Sequence, residues 1–169
     1  MLWILIGFTH SGKSYLGSRV AKDLGLPFHD TDVLLQRVLD PSASLSCREL
    51  YQRHGALHFR SHEARVLESL LHTGPALVAS GGGSIYHTEL LQRFSRSSNI
   101  LFLDTPFMVI RSRVQSLPAF SPSWEHFEAE YHRRRDLYTR HAHHSLVLDP
   151  RRDAVQALKD IIAGSTHGK

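Results

Sequence analysis

Residues with apolar side chains cluster in five short runs, and longer stretches of mixed apolar and polar residues separate them. A short apolar run bounded by turn-forming residues is typical of a strand buried on both faces, as in a parallel sheet. The runs therefore predict five strands, at residues 2–6, 27–30, 76–79, 99–103 and 145–148.

The stretches between these runs show the spacing of amphipathic helices. Leu16 and Val20 would share one face of the first helix, which Gly25 would end. Ser46 lies three residues before Glu49, the spacing of a capping box, so another helix should begin there. Helices are predicted at residues 15–24, 33–39, 56–71, 88–96, 107–113 and 125–140, with a last helix capped by Asp153; the helix after Gly55 should bury Leu57, Ala64, Leu67 and Leu71.

The regular alternation of strands and helices predicts an α/β fold with a parallel sheet and right-handed crossovers. The 169 residues suit one domain, which we expect to span residues 1–169. In such sheets, ligands bind beyond the carboxyl ends of the strands. Side chains that directly follow the predicted strands are therefore the first candidates for a functional site.

Composition excludes several classes of protein. No apolar run approaches the ~20 residues of a membrane span, and the first residues do not resemble a signal peptide. A single cysteine, Cys47, cannot form an internal disulfide and fits a reducing cytoplasm. The 13 histidines lack the spacing of a metal site, so we interpret them as surface residues. The net charge of +4 suits anionic substrates, whereas the aromatic residues of a nucleic-acid binder are not evident.

A phosphate-binding loop follows the first predicted strand. Residues 7–14, Gly-Phe-Thr-His-Ser-Gly-Lys-Ser, match G-x-x-x-x-G-K-[ST] at every fixed position. Backbone N–H groups of such a loop surround the phosphates of ATP, Lys13 reaches the β- and γ-phosphates, and the Ser14 hydroxyl ligates Mg²⁺. A chance turn is the alternative, but the predicted strand before the loop and helix after it favour the phosphate site. The predicted nucleotide contacts in this segment are Gly7, Ser11, Gly12, Lys13, Ser14 and Tyr15.

Two further motifs follow the second and third strands. Asp30 and Asp32 lie two residues apart, so one carboxylate could hold the metal while the other orients a substrate hydroxyl and accepts its proton. Gly81, Gly82 and Gly83 could expose backbone N–H groups to a substrate. The alternatives are a turn with solvated acids and a flexible glycine loop. Their common position at the carboxyl ends of the strands favours a shared site with the phosphate loop.

Arg60 and Glu63 lie three residues apart on a predicted helix, close enough to form an ion pair. An arginine held by a glutamate is well suited to bind a substrate carboxylate through two hydrogen bonds. A solvated pair on the helix surface is the alternative.

Taken together, these motifs resemble those of the shikimate kinases in order and spacing, over about residues 2–162. The resemblance implies a nucleoside-monophosphate-kinase-like P-loop fold, a three-layer α/β/α arrangement with strand order 2-3-1-4-5. It also implies Mg²⁺-dependent transfer of the ATP γ-phosphate to the 3-hydroxyl of shikimate by a cytoplasmic monomer. Residues 33–62 would bind the acceptor and residues 114–124 would form a lid. By position, the implied roles are catalysis for Lys13 and Asp32, metal binding for Ser14 and Asp30, an adenine contact for Arg113, and shikimate binding for Asp32, Phe59, Arg60, Gly81, Gly82, Gly83 and Arg134, with Glu63 in support.

The lid departs from the family pattern. The family has an arginine before a proline, and that arginine reaches the transferring phosphate. Here the pair is Leu117-Pro118, and the segment from Arg113 to Pro118 is about three residues short. Loss of such a donor commonly costs ~10²–10³ in rate. Either Arg111 or one of Arg133–Arg135 takes its place, or the enzyme is slow or inactive. A kinase of gluconate or a nucleotide, and a silent ATP-binding protein, remain the alternative functions.

Overall fold

The strands of the central sheet lie close to their predicted positions in the structure, a computed structural model that describes residues 1–149 and 151–165. All five pair in parallel, in the order β2-β3-β1-β4-β5, which confirms the order implied by the resemblance. The strands span Leu2–Ile6 (β1), Phe28–Asp30 (β2), Ala76–Ala79 (β3), Asn99–Asp104 (β4) and His144–Val147 (β5).

Helices cover both faces of this sheet, so the predicted three-layer α/β/α arrangement is confirmed. Trp3 and Leu5 of β1 pack with residues of the first and last helices, whereas Ile4 and Ile6 pack with residues of the middle helices. This alternation follows from the two-residue period of a strand. The helices span Lys13–Asp23 (α1), Thr31–Leu39 (α2), Cys47–Ser69 (α3), Thr88–Ser97 (α4), Phe107–Arg113 (α5), Trp124–His141 (α6) and Ala154–Gly164 (α7).

A smaller hydrophobic cluster lies between α2 and α3, apart from the two sheet faces. Leu35 of α2 packs there against Leu50, Phe59 and Val66 of α3, and all four side chains are buried. We call this group the α2–α3 cluster. It supports the part of α3 that carries Arg60.

Helix α3 contains the break that the sequence predicts at Gly55. Its backbone there is non-helical, with φ 77° and ψ 161°, a region open mainly to glycine. The capping box is also confirmed, because Ser46 Oγ accepts from Glu49 N at 3.3 Å and Ser46 N donates to Glu49 Oε2 at 2.7 Å. Residues 47–54 therefore form a separate helical segment before the break.

Two predictions about these helices were wrong. Helix α2 begins at Thr31 rather than residue 33, because the Asp30 carboxylate caps it by accepting from Asp32 N at 2.9 Å and from Val33 N at 3.4 Å. Leu57 is 89% exposed, since the buried face of α3 runs through Phe59 and Val66 instead. Within the described residues, no helix combines the length and apolar character needed to cross a membrane.

Candidate active site

The phosphate loop joins β1 to α1 at the carboxyl edge of the sheet. Gly7 passes so close to β4 that a Cβ there would lie 2.9 Å from the Leu103 carbonyl oxygen. Gly12 precedes the first residue of α1 with φ 100°. The loop therefore directs the N-terminus of α1, with its unpaired N–H groups, towards the cavity in front of it.

Lys13 is buried inside this loop. Its Nζ donates to the carbonyl oxygens of Gly7 and Phe8 at 2.9 and 2.7 Å and to Ser11 Oγ at 3.0 Å. Burial lowers the pKa of Lys13, and the carboxylates of Asp32 and Asp30 oppose that shift. The ammonium group is thus held by the loop, among acceptors that a phosphate oxygen can replace.

Two adjoining cavities open at this edge of the sheet. The nucleotide cavity, of about 650 Å³, is lined by residues 9–16 together with Asp32, Arg113 and residues near β5 and α7. The acceptor cavity, of about 480 Å³, is lined mainly by α3, the glycine segment and the lid. Residues that line both cavities are Thr9, His10, Asp32, Gly82 and Arg113.

Asp32 occupies the junction of these cavities, in the first turn of α2. Burial raises the pKa of its carboxyl group, and the charges of Asp30 and Glu63 add to the rise, while Lys13 and Arg60 oppose it. A carboxylate with a raised pKa is a better proton acceptor than an exposed one. The position and the pKa of Asp32 both suit a general base.

Asp30 is close to Asp32 but lines neither cavity. Its carboxylate caps α2, a structural use that the sequence motif did not reveal. The described residues contain no group of three or more histidine, cysteine or acidic side chains arranged around a metal position. The Ser14 hydroxyl and the Asp32 carboxylate line the nucleotide cavity, and such oxygen ligands fit Mg²⁺, which retains waters and phosphate oxygens. The metal roles of Ser14 and Asp30 stay predictions.

Arg60 is held at the wall of the acceptor cavity, as expected from its spacing to Glu63. Arg60 Nη1 donates to Glu63 Oε2 at 2.6 Å, and His87 Nε2 lies 3.0 Å from the same oxygen. Burial favours a higher pKa for Glu63, but the His87 hydrogen bond and the Arg60 charge outweigh it and lower the pKa. His87 was not predicted, and nothing in its sequence context points to Glu63.

Two of the three glycines, Gly81 and Gly83, lie against the acidic side chains and Arg60, and Gly82 lies against the phosphate loop. A Cβ at Gly81 would lie 2.5 Å from Asp32 Oδ1, one at Gly82 would lie 3.0 Å from Thr9 N, and one at Gly83 would overlap the Arg60 guanidinium. Gly81 N already donates to Thr31 Oγ1 at 2.8 Å. The lack of side chains here thus makes room for the chain's own functional groups, while substrate contacts by these glycines stay predictions.

Of the consecutive arginines of α6, Arg133 and Arg134 both bind Glu130 and Tyr86, whereas Arg135 binds Asp104. Arg134 is 3% exposed and lines the acceptor cavity, where Nε donates to Glu130 Oε2 at 2.8 Å and Nη1 donates to the Gly82 carbonyl oxygen at 3.2 Å. Arg133 turns to Glu130 and Tyr86, and Arg135 forms two hydrogen bonds with Asp104. Of the three, Arg134 is the one at the acceptor cavity, and Phe59 lines the same cavity.

The lid lies against the protein core. Phe120 contacts the ring of Phe8 edge-on at a centroid distance of 6.2 Å, and the Arg134 guanidinium lies 4.1 Å from its centroid. Arg48 Nη1 donates to Ser116 Oγ at 3.0 Å, which links α3 to the lid. Leu117 therefore contributes an apolar wall to the acceptor cavity, at the position where the family pattern has an arginine.

Comparison with known proteins gives one consistent family. The sequence model described as shikimate kinase matches residues 10–163. A shikimate kinase of Bradyrhizobium diazoefficiens is 37% identical over 112 residues, which cover 66% of this chain and 52% of that protein. One of Rhodopseudomonas palustris is 37% identical over 112 residues, covering 66% and 53%. The chain spans about half the length of these curated relatives.

Solved structures agree with the sequence comparison. The shikimate kinase of Aquifex aeolicus superimposes with a TM-score of 0.80 and 27% identity, covering 100% of both chains. The shikimate kinase of Acinetobacter baumannii in complex with shikimate also has a TM-score of 0.80, over 98% of this chain and 92% of that one, but its 21% identity shows the fold alone. With its motifs, its strand order and a family match over residues 10–163, this chain belongs to the shikimate kinase family.

Proposed function

We propose that this protein transfers the γ-phosphate of ATP to the 3-hydroxyl of shikimate, giving shikimate 3-phosphate and ADP. The observation that carries the proposal is the junction of the nucleotide and acceptor cavities at Asp32, with Lys13 on one side and Arg60 on the other. A nucleotide on the phosphate loop and a small carboxylated acceptor beside Arg60 would then present their reacting groups to the same carboxylate.

The chemistry follows from these positions. Arg60 and Arg134 bind the acceptor carboxylate and fix the orientation of its ring, with Phe59 in contact. Asp32 accepts the proton of the 3-hydroxyl while the hydroxyl oxygen of shikimate forms the new bond to the γ-phosphorus. The bond between the γ-phosphorus and the oxygen that bridges it to the β-phosphate breaks, and ADP leaves. Lys13, released from the loop carbonyls by phosphate oxygens, stabilises the negative charge of the transferring group.

Ser14 and a carboxylate of the Asp30–Asp32 pair would hold Mg²⁺, which when bound would neutralise charge at the phosphates. We also propose a monomer in the cytoplasm. The single cysteine, Cys47, supports a reducing compartment. Light scattering of the purified chain tests the oligomeric state.

The direct test is an ADP-release assay with ATP, Mg²⁺ and shikimate, with the product identified by mass spectrometry. Shikimate-dependent ADP release and a product that carries one added phosphate are expected. The control is Arg93→Ala, because Arg93 pairs with Glu68 on the surface, away from both cavities. ATP binding without shikimate turnover would overturn the proposal.

A panel with gluconate and nucleoside monophosphates separates the remaining candidates. Preferential turnover of gluconate or a nucleotide would assign another kinase activity to the same site. Binding of ATP with no transfer to any acceptor would assign a silent binding protein, the alternative raised by Leu117 in the lid.

A further inference from the structure

We infer that Arg113 contacts the γ-phosphate, in place of the lid arginine that this chain lacks at Leu117. The inference rests on the proposed function for the identity of the reaction. Its geometric basis is independent, because it concerns how the nucleotide lies on the phosphate loop.

The position of Arg113 at the end of α5 is the first observation. Its Nη1 donates to the His10 carbonyl oxygen at 3.0 Å and would lie 3.4 Å from a Cβ on Gly12. The guanidinium thus lies directly against the loop that holds the phosphates. It is also the one lysine or arginine, among residues 1–149 and 151–165, that lines both cavities.

The partners of the other cationic groups are the second observation. Arg60 and Arg134 each bind a carboxylate, Glu63 and Glu130 respectively. In the described part of the chain, Arg113 forms no ion pair, and its guanidinium donates to a neutral carbonyl, that of His10. A guanidinium gains more from a phosphate group than from a neutral carbonyl, because the phosphate carries the opposite charge and can accept two parallel hydrogen bonds from the same arginine.

The arginines that the sequence offers as replacements for the lid arginine already contact other groups. Arg111 stacks on Trp124 with its guanidinium 5.1 Å from the ring centroid, and Arg135 is bound to Asp104. Arg133 turns to Glu130 and Tyr86. Arg134 faces the acceptor and is held there. A swing of the exposed Arg113 side chain from the His10 carbonyl to the junction brings its charge to the transferring phosphate.

This assignment differs from the adenine contact implied by family resemblance, and nucleotide binding distinguishes the two. We would measure the affinities of ATP, a non-hydrolysable ATP analogue and ADP for the full chain by calorimetry, comparing the wild type with Arg113→Ala. A γ-phosphate contact predicts that binding of ATP and its analogue weakens roughly 10-fold to 100-fold, while ADP binding changes less than about 2-fold. Arg111→Ala, two residues earlier on the same helix, is the matched control and should leave all three affinities unchanged.

Equal weakening of ATP and ADP binding would establish the adenine contact and overturn the inference, as would unchanged affinities in Arg113→Ala. A second variant, Arg113→Gln, retains hydrogen-bonding groups without charge and should behave as Arg113→Ala. In the ADP-release assay, we expect kcat to fall ~10²–10³-fold in Arg113→Ala with little change in the acceptor KM.

The two proposals can fail separately. If shikimate is not turned over but the ATP-to-ADP affinity ratio still collapses in Arg113→Ala, the shikimate assignment is wrong and the role of Arg113 stands. If shikimate is turned over and the ATP-to-ADP affinity ratio is unchanged in Arg113→Ala, the shikimate assignment stands and the role of Arg113 is wrong.

Discussion

Replacing Gly83 with alanine is expected to weaken acceptor binding while leaving the fold almost unchanged. The new Cβ would overlap the Arg60 guanidinium, closer than real Cβ contacts allow. The backbone of Gly83, with φ −90° and ψ −9°, lies in the bridge region, which alanine can adopt as it does in type I turns. The clash therefore falls on the far end of one flexible side chain, that of Arg60. Arg60 can rotate away, which relieves the overlap but removes its charge from the cavity wall.

The expected rise in the acceptor KM follows from the interactions that Arg60 loses. Its 2.6 Å hydrogen bond to Glu63 breaks, and it no longer reaches the acceptor carboxylate. A hydrogen bond to a charged group contributes about 1.5–3 kcal/mol, so the acceptor KM should rise roughly 10-fold to 150-fold. The free energy of unfolding should fall by about 1.5–3 kcal/mol, because the buried Glu63 carboxylate loses the Arg60 hydrogen bond and keeps only its contact with His87.

The assay measures KM for acceptor and for ATP, together with the melting temperature. Gly74→Ala is the matched control, since a Cβ at Gly74 meets no atom within 4 Å. Arg60→Ala and the double variant complete a cycle, in which Gly83→Ala should add little once Arg60 is gone. An unchanged acceptor KM in a folded Gly83→Ala protein would refute the reasoning, as would full additivity with Arg60→Ala.

Three further predictions concern the phosphate loop, the base and the break in α3. Lys13→Met should reduce phosphate transfer at least ~10²-fold while circular dichroism shows an intact fold, because the ammonium acts on the phosphates; retained turnover would contradict this role. Since the pKa of Asp32 is raised, kcat/KM should fall with decreasing pH while ordinary carboxyl groups are still ionised. Asp30→Asn should move this acid limb of the pH profile to lower pH, because it removes a negative charge that raises the pKa of Asp32. An acid limb that does not move would disprove the coupling between the two carboxylates. Gly55→Ala should lower the free energy of unfolding, measured by urea denaturation, by about 1–3 kcal/mol, because φ 77° with ψ 161° strains any residue with a Cβ. Gly74→Ala is the control and should show no comparable loss. An equal effect of both substitutions would exclude strain as the cause.

The sheet and the phosphate loop were predictable because local patterns determine them. The apolar run at Leu2–Ile6, the loop that follows it and the capping box at Ser46 each depend on neighbours within a few residues. Periodicity failed at Leu57, where spacing alone left the direction of the buried face undetermined. The start of α2 was predicted two residues too late because the Asp-Thr-Asp pattern was interpreted as a candidate metal site. The structure shows that Asp30 caps the helix instead.

Partner choice among the charged side chains could not be predicted. Among the three consecutive arginines on α6, Arg133 and Arg134 share Glu130 and Tyr86 while Arg135 binds Asp104, and of the three Arg134 lines the acceptor cavity. Successive helical residues differ by about 100° in direction, so one residue of register decides which side chain reaches the cavity. Which one faces the acceptor depends on how α6 docks on β4 and on Gly82, far apart in the sequence. The same holds for His87 and Glu63, which are 24 residues apart in the chain and meet only in the folded protein.

Because the α2–α3 cluster is small and lies apart from the two sheet faces, we expect the acceptor side of the protein to open as a separate unit. Four buried side chains hold it together, whereas the sheet is buried between two much larger layers. Such a unit opens at a lower free energy than global unfolding, so backbone amides of α2 and the first half of α3 should exchange with solvent before those of β1. Arg60 and Phe59 belong to this unit and the phosphate loop does not. An acceptor that contacts both Arg60 and the phosphate loop therefore stabilises the acceptor side, the less stable of these two parts. Protection of the α2 and α3 amides from exchange should increase as the acceptor site fills.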